Sequence, residues 1–310
     1  MTPPPLDLTV IILTCNEEIH ITRCIGNVLP LARRVIVVDS GSTDRTVAIA
    51  KGLGAEAVQH AWPGNQAEQF NWAIDNINID TGWILRLDAD EYLLPGLVAE
   101  LRERLPQMPS EVTSLSLSLA RGFMGRRLRH GVVNDVRIVR IFRTGTARYE
   151  QRLMDEHLVV LKGTTLEMKG QFIDDSLLPI GEFIDKHNGY ASREAALLLD
   201  TEYQLVDTAQ ANGEHGAAVE KKRAQKARYA RMPLFWRAFG YFAYRYILKL
   251  GFLDGPEGFL WDFLQGFWYR TLVDAKVLEI KRACGSDRNK MRDYLRDRYG
   301  ITLTKINGGG

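Results

Sequence analysis

Four short apolar runs punctuate the first hundred residues, and stretches with helical spacing separate them. "LTVIIL" (8–13), "RVIVVD" (34–39), "AEAVQH" (55–60) and "GWILRLD" (82–88) predict strands. Residues 17–29, 43–53 and 65–78 predict helices, the second opened by the capping-type "GSTD". A β-α-β-α order of this kind sets the class: α/β, a mostly parallel sheet covered by helices on both faces. Such a sheet binds ligands beyond the carboxyl ends of its strands. Here those ends carry Glu17, Asp39 and the cluster Asp88, Asp90 and Glu91.

A site this acidic excludes the common dinucleotide arrangement. That fold places a Gly-rich turn after its first strand, offering bare N–H groups to a pyrophosphate; "TCNEE" puts two carboxylates there instead. An anionic ligand is still accommodated if a divalent cation, Mg²⁺ or Mn²⁺, stands between it and the carboxylates. A D-x-D at a strand end suits that task, because residues two apart share one face of an extended segment. The competing reading gives Asp88 and Asp90 a turn or helix-capping role before "PGLVAELRERL", Asp39 an Asx turn, and Glu17 a helix first-turn charge.

The rest of the chain differs in charge and texture. Residues 1–100 hold 6 Lys/Arg against 13 Asp/Glu, although the whole chain of 310 residues has a formal charge of +2, so the remainder is strongly basic. From 112 to 160, "SLSLSLA", "VRIVRIF" and "EHLVVL" predict an antiparallel extension of the sheet, and nine arginines fall between Arg121 and Arg152 against two acids. Guanidinium forks match phosphate oxygens, which makes Arg127, Arg129, Arg140 and Arg143 candidates for donor or acceptor phosphate; a charged, solvated edge strand is the plainer alternative. Residues 179–232 predict amphipathic helices. Between Pro233 and Leu272 stand 14 of the 29 aromatic residues, and from Glu214 to Lys249 nine basic residues face two acids. Rings and cations together suit a membrane interface, with Trp236, Phe239 and Phe242 as the candidate membrane-facing residues. A helical hairpin closed onto the catalytic domain, or onto a second subunit of a homo-oligomer, is the alternative.

"VIILTCNEE", "VIVVDSGSTDRT", "NQAEQFNWAI" and "ILRLDADEYL", in that order, resemble the N-terminal motifs of family 2 inverting glycosyltransferases with the GT-A fold. "RGFMGRRLRHG", "RIVRIFR", "MDEH" and "KLGFLDGPEGF" are similar to the bacterial branch containing lipopolysaccharide-core glucosyltransferases and related exopolysaccharide enzymes. The resemblance implies that Glu17 and Asp39 hold the ribose and base of a nucleotide-sugar, normally a UDP-sugar. Matched motif by motif, it places Thr14, Asn16, Gln69, Asn71, Asp88 and Ala89 in the same binding set. Asp90 and Asp88 become the ligands of the divalent cation, with Asp90 the more direct.

Transfer with inversion needs a base on the face opposite the leaving nucleotide. "RLMDEHL" offers Asp155 and Glu156; Glu156 matches the branch's glutamate and Asp155 replaces its histidine, so both stand as candidates. The expected organisation is a nucleotide-sugar-binding half over 1–110, an acceptor and base half over 111–178, and a helical, membrane-associating region over 179–310. The expected activity moves a sugar, glucose-type favoured, from a UDP-sugar to a lipid-linked glycan acceptor at an anionic membrane surface. A nucleotidyltransferase or a non-catalytic membrane-associated scaffold of the same fold are the alternatives. Nucleic acid is not an expected partner, because the first hundred residues are acidic and no DNA or RNA motif is present. Cys15, Cys24 and Cys284 lack metal-ligand spacing and predict free thiols in a reducing compartment, and no apolar run reaches the about 18 residues of a spanning helix. The expected location is cytoplasmic, peripheral on the inner face of the cytoplasmic membrane.

Overall fold

The computed structural model describes residues 3–133, 136–150, 157–206 and 232–303. Strand β1 (Leu6–Thr14) lies between β2 (Ala32–Asp39) and β4 (Trp83–Asp88), and β3 (Glu56–Gln59) flanks β2, all four parallel. β1 reads as an unbroken apolar run because both of its faces are covered. Leu8, Val10 and Ile12 enter one core cluster, whereas Ile11 and Leu13 enter the other. The connecting helices are α1 (Glu18–Val28), α2 (Thr46–Gly52) and α3 (Gln66–Asn76). Asn65 caps α3 by accepting from the Glu68 amide at 2.7 Å.

The sheet continues from β4 through β8 (Arg137–Arg143), β6 (Val112–Phe123) and β11 (Thr164–Ser176) to β5 (Glu91–Leu93), with β7 (Arg126–Leu128) hairpinned onto β6. β8 is antiparallel to both β4 and β6, as expected, but β11 runs parallel to β6. "EHLVVL" does not join this sheet: β10 (Leu158–Val160) pairs with β9 (Ala147–Tyr149) in a separate ribbon. Its side chains are half-buried or exposed, unlike those of strands covered on both sides.

Only Ala89 and Asp90 separate β4 from β5, yet three strands lie between them in sheet order. The sheet must therefore curl until its far edge meets the end of its central strand. The curl brings β11 to the acidic turn, where the Asp175 amide donates to the Asp90 carbonyl at 3.1 Å. Helix α4 (Pro95–Arg104) then packs beside β11, so closely that a side chain on Gly170 would meet the Leu97 Cα at 2.4 Å.

Residues up to Leu177, apart from His130–Val132, form one compact unit, and His130–Val132 group with Leu178 onward in a second. In the second unit, α5 (Ile180–Tyr203) packs its Ala191, Ala195 and Leu199 with Val273, Val277 and Ile280 of α8 (Tyr269–Cys284). Helix α6 (Trp236–Ala243) runs on into a π-helical turn, Tyr244–Leu248; α7 (Gly255–Trp261) passes through a second one, Asp262–Trp268, into α8. Helix α9 (Arg288–Tyr299) follows, capped by Asp287. The α/β class, with its mostly parallel first four strands, and the helical, aromatic-rich C-terminal region are those the sequence implied. Among the described residues no helix is long and apolar enough to cross a membrane.

Candidate active site

Parallel register sets the acidic strand ends side by side. Thr14 at the end of β1 lies opposite Asp39 at the end of β2, and Leu13 lies opposite Asp88 at the end of β4. Asp39 is wholly buried and organises the loop that follows it. Its Oδ1 accepts from Thr14 Oγ1 at 3.2 Å, its Oδ2 accepts from the Gly41 and Ser42 amides at 3.0 and 2.9 Å, and the Ser42 hydroxyl adds a further short bond. These are the bonds of the Asx-type turn weighed against a nucleotide role. Asn16, held at a positive φ of 55°, ties the β1 end to the same loop: its amide donates to Ser42 Oγ and its Oδ1 accepts from the Thr43 amide, both at 2.8 Å. Glu17 accepts from His20 Nδ1 at 2.5 Å. Because His20 Nε2 accepts from the Leu177 amide at 2.8 Å, the ring proton is assigned to Nδ1, and the neutral imidazole orients Glu17.

The turn of Asp88, Ala89, Asp90 and Glu91 rests on buried guanidiniums. Arg86 Nη2 donates to Asp88 Oδ1 at 3.1 Å and to Gln66 Oε1 at 2.7 Å. Arg140 Nη2 donates to Glu91 Oε1 at 2.5 Å and lies 3.7 Å from Asp88 Oδ2. Glu91 is the acid that turns inward: it is 3% exposed, and its Oε2 accepts from the Asp88 amide at 2.9 Å. Burial pushes its carboxyl up to about 8, against the opposing pull of Arg140. Beneath Asp88 lies Cys24, whose thiol is likewise raised by burial. The other side of the turn is held by Arg23, which donates to the Asp90 carbonyl at 3.3 Å, pairs with Asp175 at 2.7 Å and lies over the Tyr92 ring at 4.7 Å.

Several expected contacts are placed elsewhere. The Ala89 methyl is buried in the main core cluster, as a small apolar group between two outward acids must be. Gln69 is fully buried and bridges His60 to Ser40, supporting the loop after Asp39 from behind. Both amide atoms of Asn71 are used by the Tyr149 main chain, accepting from its N–H at 3.0 Å and donating to its carbonyl at 2.9 Å. A buried amide on α3 needs such partners, and the requirement turns it away from the acidic turn. Arg143 is corrected outright as a phosphate ligand: it lies opposite Trp83, at the amino end of β4. There its guanidinium covers the Trp83 ring at 4.4 Å and donates to the Val112, Met108 and Pro109 carbonyls. Arg140 is buried against Glu91 and is likewise not an open phosphate site. Arg127 and Arg129 are exposed, with Arg127 bonded to Gln171. Asp155 and Glu156 lie outside the described residues.

Among the described residues no three His, Cys, Asp or Glu side chains stand together as a ready-made ion cage. Asp88 and Asp90 nonetheless fit a cation of the Mg²⁺ or Mn²⁺ type. Such ions are held by one or two carboxylates and complete their shell with ligand phosphates and water. Asp88 keeps part of its surface open for that purpose, its side chain being 28% exposed.

In the second unit, Trp236 and Phe239 are 75% and 55% exposed, but Phe242 is partly buried among the rings of Tyr246, Phe259, Phe263 and Phe267. Six helical residues turn the chain by about 240° beyond a full turn, which carries Phe242 to the other side from Trp236. Ile247, Leu248, Leu250, Phe252 and Leu253 are exposed as well. They escaped sequence reading because a π turn, a left-handed Leu250 and a 3₁₀ turn at Gly251–Asp254 break the regular period. Charge is turned inward: Arg237 pairs with Asp274, Arg245 with Asp262 at 2.7 Å, and His130 Nδ1 with Asp254 at 3.0 Å. Gly251 backs onto Asp262 so tightly that an added Cβ would lie 1.9 Å from its Oδ2.

Residues 9–160 match the family model described as glycosyl transferase family 2. An uncharacterized glycosyltransferase of Rickettsia bellii is 40% identical over 94 residues, 30% of this chain and 31% of that protein. The chain thus aligns with under a third of that relative's length. The lipopolysaccharide core biosynthesis glycosyltransferase LpsC of Rhizobium meliloti is 27% identical over 201 residues, 62% of this chain and 72% of that one. Among solved structures, glucosyl-3-phosphoglycerate synthase from Mycobacterium tuberculosis, in complex with Mn²⁺ and uridine diphosphate, is 24% identical at a TM-score of 0.31. The match covers 36% of this chain and 43% of that one. The residues that match, 9–160, hold the row of strand-end acids and are a glycosyl transferase family 2 domain, and the chain that carries it is similar to a glycosyltransferase of lipopolysaccharide core biosynthesis.

Proposed function

We propose that this chain transfers a sugar, glucose-type favoured, from a UDP-sugar to a lipid-linked saccharide in bacterial lipopolysaccharide or exopolysaccharide synthesis, inverting the anomeric centre. The observation that carries the reading is the row formed by Thr14, Asp39 and Asp88 at adjacent parallel strand ends. In this reading Glu17 and the loop organised by Asp39 and Asn16 receive the nucleoside, while Asp88 and Asp90 would hold a divalent cation. That cation, when bound, supplies charge neutralisation to the departing diphosphate. Glu156, with Asp155 as the alternative, takes the proton from the acceptor hydroxyl. Arg127 and Arg129, both exposed, are the candidate arginines for an acceptor or donor phosphate.

The acceptor's lipid is met by the second unit, peripheral on the inner face of the cytoplasmic membrane. The support is an inverted polarity, with charged pairs inside and Trp236, Phe239, Ile247, Leu248, Phe252 and Leu253 outside. Release of sugar from UDP-glucose with Mn²⁺, absent without a cation, tests the activity. Absence of release from any UDP-sugar, alongside failure to bind UDP, would leave the scaffold reading in its place.

A further inference from the structure

We propose that Arg86 and Arg140 are positioning residues for donor binding: a buried guanidinium on each oxygen of the Asp88 carboxylate holds it oriented before any ligand arrives. The inference rests on the UDP-sugar reading. Its basis is an arrangement that folding alone does not favour. β4 and β8 are antiparallel with Leu85 opposite Ile141, so one step further the register sets Arg86 level with Arg140. Like charges directly across a sheet repel, and both residues are only 6% exposed. A buried pair of apolar side chains there would be as stable or more so.

What makes the pair tolerable is the acidic turn lodged between them. Arg86 reaches Asp88 Oδ1 at 3.1 Å, and Arg140 reaches Asp88 Oδ2 at 3.7 Å while bonding Glu91 at 2.5 Å. Both guanidiniums are in turn fixed from behind. Arg86 stands over the Tyr149 ring at 4.6 Å and the Phe70 ring at 5.8 Å, and Arg140 stands over Phe172 at 5.3 Å. The Nε atoms of both are buried without a hydrogen-bond partner. A network selected for its own satisfaction would not leave two such donors idle; one selected to present Nη atoms to a carboxylate can. The two guanidiniums thus offset the negative charge of Asp88 at the turn a diphosphate would approach.

The test is titration of the full chain with UDP at fixed Mn²⁺, and with Mn²⁺ at fixed UDP, alongside the ligand-free melting temperature. Wild-type protein that binds no UDP overturns the donor reading itself. If wild type binds, Arg86→Met should fold yet bind UDP about 10- to 100-fold more weakly, the range typical when a group orienting a ligand residue is lost. Its Mn²⁺ midpoint should rise, and Arg86→Lys should recover part of the loss. A merely structural arginine would lower the melting temperature and leave the affinity of the folded protein alone. Folded Arg86→Met with wild-type UDP affinity and Mn²⁺ midpoint overturns the proposal. Should that variant not fold, Arg86→Lys and the double variant Glu91→Leu/Arg140→Met serve, and wild-type UDP affinity in both overturns it equally.

Discussion

In the first unit, Arg86 and Arg140 are buried against carboxylates at the ligand end of a sheet; in the second, Arg237 and Arg245 are buried against Asp274 and Asp262 beneath exposed Trp, Phe and Leu. The chemistry of the pairs is alike, but the Arg237–Asp274 pair is the complete one, since Asp262 Oδ2 is buried without a hydrogen-bond partner. Asp274 takes the Arg237 guanidinium with both oxygens and also accepts from the Phe235 amide at 2.7 Å. In the acidic turn, arginine donors are left over and Asp88 keeps an open side. A closed pair removes charge from the surface and lets the outer face be apolar. An open pair keeps charge available to a ligand. The same residue types thus lie beneath an apolar face in one unit and beside a part-exposed carboxylate in the other.

Substitutions that open the closed pairs or empty the open ones sharpen this contrast. The largest effect is expected for Asp90→Ala, which should abolish transfer and Mn²⁺-dependent UDP binding without changing the circular dichroism spectrum; turnover at the wild-type rate would break the site assignment. Glu156→Gln should retain UDP binding and lose about 10²- to 10⁴-fold in kcat. If Asp155→Asn loses turnover and Glu156→Gln does not, the base is the neighbour. Asp274→Asn should cost about 3–5 kcal/mol in urea unfolding of the second unit, because Arg237 is left buried and unpaired, whereas Arg237→Met with Asp274→Leu should cost far less. Donor affinity should be unmoved in both.

Replacing Trp236, Phe239 and Leu248 with Ser should reduce co-sedimentation with anionic liposomes even at low salt, each inserted side chain contributing up to about 1.5–3 kcal/mol. Intact protein that stays in the supernatant would remove the membrane reading and favour an apolar interface with a second copy. The smallest effect concerns Glu100, which belongs to neither set of pairs. Burial pushes its carboxyl up, but the Gly170 and Lys169 amides and Arg104 outweigh that and hold it below the ordinary glutamate value. It therefore contributes stability above the unfolded pKa of about 4.3, lost as pH falls through the folded value. Glu100→Gln should flatten the acid limb of the stability profile and leave neutral-pH activity unchanged.

The parallel half of the sheet was legible because strands buried on both faces read as continuous apolar runs and the helices between them keep their own period. The strand-end acids were legible for the same reason, since parallel order alone dictates which strand ends point to the ligand. Glu91 and Arg86 were not. Both lie beside Asp88 in sequence, and nothing in one dimension says that Glu91 faces inward or that Arg140 arrives opposite Arg86. Arg143 shows the converse: an arginine three residues from Arg140 belongs to the opposite end of the sheet, because seven residues of strand span its depth. Trp236 and Phe239 were legible as a helical face. The ridge from Ile247 to Leu253 was hidden by π and 3₁₀ turns that no simple period describes.

The bonds of Asn71 have one more consequence. Tyr149 is pinned by that amide and paired with Leu158, and the Glu150 amide closes onto the His157 carbonyl at 3.0 Å. Residues 151–156 therefore connect two ends that are already fastened together. The entropy of closing such a loop grows only logarithmically, about 0.6 kcal/mol for each doubling of its length. Insertions between Glu150 and His157 consequently cost the rest of the fold little.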